Sequence, residues 1–356
     1  MTFNSGEDRD STVPARAPHP MLPKATKAIV PFSRTFKPRL LVIIDAEESF
    51  NWHAPFSRTN IRADTKAAQG QTRIIFERFG IKPTYAVDYP VASQPAGYQP
   101  LVDLSRSGFC DIGAQLHPWV TPPYEEMVSE ENSYANNLPP ELEKRKIQEL
   151  TAKIHEIFQI RPKLYRAGRY GAGHATPQIL EGLGYEIDCS VLPGMKLAPA
   201  APDYSGGIAR PYWLGETRSL LEIPVTIGTV GFAGKKGERI YQRLASPVGR
   251  KLRIPAIAAR LGIVERIRLT PEGTTIDEAK RLTHKLLRDE NRIFVISYHS
   301  PSLEPGNTPY VRDRNDLKVF LRWLEEYLEF FMAQLGGLPS TPSEVRDWAR
   351  AAPALT

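Results

Sequence analysis

Apolar positions show no period through about residue 37. Pro14, Pro18, Pro20, Pro23, Pro31 and Pro38 break up a stretch rich in Ser, Thr and Ala. A stretch without a repeating apolar face has nothing to bury, so residues 1–37 are expected to form a disordered N-terminal arm. The pattern begins at Leu40-Leu41-Val42-Ile43-Ile44, a run of the kind that makes a strand buried on both faces. Six further strand-like runs follow at Thr84–Asp88, Cys110–His117, Lys163–Arg166, Tyr185–Ser190, Leu220–Pro224 and Ile293–His299. Helical periods fall between them. One is expected over Thr59–Phe79, stopped by Gly80, and a charged amphipathic one over Leu142–Phe158. A short one opens at Thr176-Pro177 and closes at Gly184. The clearest period places Leu317, Phe320, Leu321, Leu324, Leu328, Phe331 and Leu335 on one face, ended by Gly336-Gly337. Thr341-Pro342-Ser343-Glu344 reads as a capping box for a final short helix. Strands alternating with helices imply an α/β fold with parallel pairing.

Composition bounds the rest. The 356 residues, 41% hydrophobic and 24% charged, suffice for a sizeable core and exclude a wholly disordered or fibrous chain. No apolar run approaches the roughly 20 residues that span a bilayer, so no transmembrane segment is expected. The first residues carry charges without an apolar stretch behind them, so no secretory signal is visible and a cytoplasmic location is expected. Lys and Arg exceed Asp and Glu by only 6, and no basic stripe is interleaved with aromatics, which argues against a nucleic-acid partner. Arg250, Lys251, Arg253, Arg260, Arg266 and Arg268 form the densest positive stretch. It reads as a solvated face, with contact to an anionic glycan or membrane surface as the alternative. Cys110 and Cys189 form no CxxC pair, which fits a reducing compartment. The 32 prolines are nearly twice ordinary usage; those beyond the arm follow strands or start helices and stiffen the intervening loops.

Polar residues fall at strand ends. Asp45 ends the first strand, His117 the third and Arg166 the fourth, Asp188 lies near the end of the fifth, and His299 ends the last. In parallel α/β folds the βα loops open at the carboxyl ends of the strands, so five such residues converge on one rim.

The runs that carry these residues resemble the polysaccharide deacetylases with the NodB homology domain, carbohydrate esterase family 4. The matching runs are Ile43-Ile44-Asp45-Ala46-Glu47-Glu48, Gly108-Phe109-Cys110-Asp111-Ile112-Gly113, Tyr165-Arg166-Ala167-Gly168-Arg169-Tyr170-Gly171, Gly184-Tyr185-Glu186-Ile187-Asp188-Cys189-Ser190 and Phe294-Val295-Ile296-Ser297-Tyr298-His299. Residues 47–59 and Leu116-His117-Pro118-Trp119 look most like the WalW-type branch. The resemblance spans Leu40 to Leu335. It implies an irregular seven-stranded (β/α) barrel over residues 38–336 acting on a carbohydrate, with 337–356 as a C-terminal capping segment and a homo-oligomer possible. It also implies roles: Asp45 as general base oriented by Arg166, His299 as general acid kept protonated by Asp188, and Tyr170 at the turn whose backbone N–H meets the oxyanion. Such a site would remove an N-acetyl group by activating water and protonating the leaving amine.

The chain departs from the family pattern at the metal. Glu47 stands for the metal-binding Asp, but Gln115 and Trp119 occupy the two histidine positions, and His117 lies between them. The resemblance implies a divalent ion, zinc foremost; in this chain Glu47 and His117 are the candidates to hold it, with His53 a further candidate whose alternative is an exposed loop position. Gln is a poor zinc ligand, which leaves one well-placed imidazole. Trp52, Trp119, Tyr170 and Trp213 are candidates for stacking on a sugar ring, with ordinary packing as the alternative. Two other readings stand beside deacetylation: a metal-independent amidohydrolase of small cyclic ureides or imides, allantoinase-like, and a glycan-binding protein without turnover.

Overall fold

The computed structural model describes residues 19–23, 28–52, 54–215, 217–234, 237–246, 249 and 251–353. The strands are β1 (Arg39–Ala46), β2 (Thr84–Val87), β3 (Asp111–Leu116), β4 (Leu164–Ala167), β5 (Ile187–Asp188), β6 (Tyr212–Leu214), β7 (Leu220–Glu222), β8 (Ile227–Val230), β9 (Glu265–Arg268), β10 (Ile293–His299) and β11 (Leu338–Pro339). The main sheet runs β10-β1-β2-β3-β4-β5-β7, every neighbour parallel, and these are the seven strands the apolar pattern marks. Strand β6 adds antiparallel to β7, β11 pairs with the start of β1, and β8 with β9 forms a separate two-stranded antiparallel sheet. The sheet curls without closing by a full ladder. Between β7 and β10 the seam is spanned by Val295 N donating to Thr226 Oγ1 at 2.8 Å and Ser297 N to the Leu269 carbonyl at 3.4 Å. The architecture is an irregular seven-stranded (β/α) barrel.

The two-residue period of the strands sorts the core into two compartments. Leu41 and Ile43 of β1, Leu164 of β4, Ile187 and Cys189 along β5, and Ile293 and Val295 of β10 pack together inside the barrel. Their neighbours Leu40, Val42, Ile44, Tyr165, Phe294 and Ile296 face the surrounding helices. Helices α1 (Gln71–Phe79), α2 (Tyr89–Ser93), α3 (Pro95–Arg106), α4 (Pro140–Phe158), α5 (Thr176–Gly182), α6 (Gly237–Leu244), α7 (Ile254–Arg260), α8 (Ile276–Arg288), α9 (Arg314–Glu329) and α10 (Pro342–Ala351) occupy the connections. The face of α9 buries Phe320, Leu324, Tyr327 and Leu328, each side chain worth about 1.5–3 kcal/mol of transfer free energy. That period continues through a π-turn at Phe330–Gln334, and Thr341 and Glu344 make the expected capping box.

Two expectations change. The helix expected over Thr59–Phe79 is a 3-10 turn at Lys66–Gln69 and then α1, interrupted at Gly70. Thr65, which donates its hydroxyl to the Gly97 carbonyl, anchors the chain before that turn to α3 instead. The arm expected over residues 1–37 is in part a packed strap. Met21 is fully buried, the Tyr212 hydroxyl donates to its carbonyl at 2.5 Å, Val30 N pairs with the Pro211 carbonyl, and Ile29 bridges to Tyr212. Phe36 packs edge-on against Trp348 of α10, with Arg39 over the Trp348 ring. Few apolar residues suffice when each enters an existing core, and a search for periodicity does not register them. Residues 1–18 and 24–27 lie outside the described residues.

Candidate active site

Phase along β1 puts Asp45 inside the barrel, in step with Leu41 and Ile43. From β4, Arg166 reaches it across the barrel: Nη1 lies 2.8 Å from Asp45 Oδ1 and 3.2 Å from Oδ2, and Ser297 Oγ accepts from the same guanidinium. From β10, His299 Nε2 stands 4.0 Å from Asp45 Oδ2. These residues, with Glu47, Gln115 and His117, line one cavity of about 390 Å³ walled by Trp52, Trp119, Tyr170 and Tyr310. Trp52 meets the His299 ring edge-on at 5.5 Å, and Trp119 stacks on His117 at 4.4 Å.

The partner of His299 is not the one expected. Asp188 makes no contact with it. Glu272 Oε2 pairs with His299 Nδ1 at 2.8 Å, and Glu272 Oε1 accepts from the His299 backbone N–H and the Ser302 hydroxyl. Burial opposes charge on both groups, yet their mutual attraction prevails. The Glu272 carboxyl is held below its usual range, and His299 rises to about 9 through Glu272, Glu47 and Asp45. Parity explains why Asp188 is elsewhere: Ile187 and Cys189 point inward, so Asp188 points to the helical layer. There its Oδ1 accepts from Ser190 Oγ at 2.7 Å, and it shares a hydrogen bond with Glu222 of β7. Burial raises both carboxyls, Glu222 far the more. Nearby Glu143 on α4, pushed up to about 7 by burial, accepts from Thr176.

The turn after β4 is built for close approach. A Cβ at Gly168 would overlap the His117 ring and the Leu116 carbonyl. Arg169 and Tyr170 both take left-handed backbone, φ 55° and 59°. That costs about 1–2 kcal/mol for each non-glycine residue. The turn is held by Gly171 N to the Gly168 carbonyl and by the Tyr204 hydroxyl to the Tyr170 carbonyl. Arg268, ending β9, lies over the Tyr170 ring and lines the cavity. Its Nε and Nη2 are buried without a hydrogen bond among the described residues.

Two donor sets around His117 bear on a metal. On the cavity side, Gln115 Nε2 lies 3.1 Å from Glu47 Oε2 and 3.2 Å from His117 Nε2. The amide NH₂ therefore sits between the two groups that would hold an ion and donates to both. A carboxylate, one imidazole and an amide nitrogen do not make a zinc site. Behind the ring lies a buried triad with metal-capable atoms, Glu48, Asp88 and His117, all within 4.8 Å of one another. Its hydrogen bonds are largely internal, and Glu48 Oε1 is left buried without a partner among the described residues. His117 Nδ1 pairs with Glu48 at 2.9 Å, while Asp88 caps α2 at Val91 N and accepts from Glu48 N. Burial raises Glu48 to about 8 and Asp88 well above its usual value. Among the described residues, the cavity-side set is not a zinc site.

Glu47, Gln115, His117, Trp52, Trp119 and Tyr170 all line the cavity. His53 lies outside the described residues. Trp213 does not: it is buried inside the barrel among Val30, Leu221 and Val345, a packing residue. Sequence reasoning missed Glu272, Arg268 and Tyr310. The alternation Arg266-Ile267-Arg268-Leu269 followed by Thr270-Pro271-Glu272-Gly273 is a strand-and-turn signal that points to the first two.

No protein-family model matches the chain, and no curated protein does. Solved structures do. A candidate polysaccharide deacetylase from Mycobacterium smegmatis is 16% identical, aligns over 92% of this chain and 96% of its own, and superposes with a TM-score of 0.51. A candidate glycoside hydrolase/deacetylase from Parabacteroides distasonis is 11% identical over 90% of this chain and 73% of its own, with a TM-score of 0.55. At such identities the likeness is one of fold, that of the deacetylase-type (β/α) barrel.

Proposed function

We propose that the cavity hydrolyses a carbon–nitrogen amide bond, the N-acetyl group of an acetylated sugar or polysaccharide precursor, within a catalytic domain spanning residues 38–336. One observation carries the reading. Asp45 and His299 face each other 4.0 Å apart, each backed by a buried partner of opposite charge, Arg166 and Glu272. A single water bridges such a gap, and Asp45 takes its proton as it attacks the carbonyl. His299, protonated at neutral pH because its pKa is raised to about 9, delivers the Nε2 proton to the departing amine. The products are acetate and a free amine. The oxyanion meets the backbone N–H of Tyr170 in its left-handed turn and the guanidinium of Arg268, whose unpaired nitrogens lie at the cavity wall. Trp52, partly exposed at the cavity wall, offers a ring on which a sugar can stack.

The mechanism routes no step through a metal, because Gln115 fills the position between Glu47 and His117. The same observation favours a second substrate class, small cyclic ureides or imides opened without a metal. Acetate release from N-acetylglucosamine oligomers, run beside ring opening of cyclic ureides, separates the two. Hydrolysis that survives Asp45→Asn unchanged would overturn both.

A further inference from the structure

The positive charge of this chain is not spread over it. Residues 231–266 hold nine Lys and Arg against two acids, an excess of seven, whereas the whole chain has an excess of six. The rest of the molecule is therefore slightly acidic. Both acids of the segment are already paired, Glu238 with Arg266 and Glu265 with Arg281. Arg239, Arg243, Lys251, Arg253 and Arg260 are exposed, and among the described residues none is within ion-pair reach of a carboxylate.

The same segment exposes large apolar side chains. Phe232 is 91% exposed, Leu261 63%, Leu252 60% and Ile257 52%. Phe232, Ile257 and Leu261 are neighbours: Phe232 N donates to the Gly262 carbonyl, and Leu261 N to the Ile257 carbonyl one turn earlier on α7. A groove of about 960 Å³ runs from Phe232 and Gly262 to His284 and Arg288 on α8. Exposed aliphatic and aromatic tips on a segment that also exposes five cations outside ion-pair reach of a described carboxylate match one kind of surface, an anionic bilayer, where tips enter the acyl boundary and cations meet head groups. A second copy of this chain fits poorly, because it would bring the same cations against themselves. A soluble anionic glycan leaves the aliphatic tips without a role.

We propose that residues 231–266 dock the protein on an anionic membrane surface. Strand β9 leads from this segment to Arg268 at the cavity wall, and Glu272 follows four residues later. The docked segment is thus continuous with one wall of the site.

Vesicle co-sedimentation tests the proposal independently of any activity. The full chain is mixed with vesicles of phosphatidylglycerol and phosphatidylcholine or of phosphatidylcholine alone. Partition into the anionic vesicles is expected to be at least ~10-fold stronger, and to fall steeply between about 0.1 M and 1 M salt as the screening length shrinks from about 10 to 3 Å. Phe232→Ser with Leu261→Ser should lower it about tenfold, with circular dichroism unchanged. Lys251→Glu with Arg253→Glu should do the same. Equal partition into both vesicle types, no partition into either, or binding indifferent to Phe232 and Leu261 overturns the proposal. So does a dimer in solution that the Phe232 and Leu261 changes dissociate without any vesicle binding. A protein without hydrolase activity that still binds anionic vesicles would separate this surface from the catalytic reading.

Discussion

Two acid clusters lie near the carboxyl ends of different strands of the one barrel and are driven in opposite directions. In the cavity, Asp45 and Glu272 each meet a cation, Arg166 and His299, and the result is a set of paired charges facing open space. One layer outward, Asp188 and Glu222 meet each other, with Glu143 nearby, and burial favours their neutral forms. The strands deliver both sets to similar height. One residue of phase decides which side of the sheet each occupies, and the side decides its partners. Proximity to a strand end is thus a weak guide to chemistry until the inward phase is established.

The largest expected effect separates the clusters directly. Asp45→Asn or His299→Ala should lower kcat for acetate release by at least ~10²–10⁴-fold, whereas Asp188→Asn should leave it within about threefold. Equal losses at Asp45 and Asp188 would collapse the distinction. Next, Glu272→Gln removes the main cause of the raised His299 pKa. The alkaline limb of the pH–rate profile, expected near 9 in the parent because activity needs protonated His299, should move toward 6.5. A limb that moves with Asp188→Asn instead would return the older assignment.

The outer cluster should show itself in stability. Groups with raised folded-state pKa stabilise fully below their unfolded values and lose that contribution as pH rises through the folded ones. For Glu143 that window runs from 4.5 to about 7, and it costs about 1.4 kcal/mol per pH unit for each group so shifted. Glu222→Gln, which mimics the protonated acid, should therefore flatten the fall in urea midpoint as pH rises above the usual carboxylate range. The smallest effect is expected from chelation. EDTA should change the rate by less than about twofold, and elemental analysis should find no stoichiometric zinc. A chelator-sensitive enzyme would mean that Gln115 turns its carbonyl oxygen inward to a bound ion.

The main sheet was legible because each of its seven parallel strands carries an apolar run, and runs such as Leu40–Ile44 survive any reading of loops. Strands β6, β8 and β9 were not: β6 opens with two aromatics, Gly228 and Thr229 interrupt β8, and β9 is charged at three of its four positions. Asp45, Arg166 and His299 were readable as strand ends. Glu272 was not, since it sits in a turn after an unrecognised strand, and only the folded register brings it to His299. The packed strap was hidden for a related reason. Met21, Val30 and Phe36 are isolated in sequence, and each depends on a partner far along the chain.

That distance sets the order of events during synthesis. The Met21 carbonyl waits for the hydroxyl of Tyr212, 191 residues later, and β1 waits longer still for β10, whose Ile293 is the register partner of Arg39. At about 5–20 residues per second on the ribosome, the strap stays undocked for roughly 10–40 s after it emerges. During that interval β1 offers one hydrogen-bonding edge to β2 and leaves the other open. The Pro-rich strap upstream suits that wait, because proline lacks the N–H that would let it pair with the open strand.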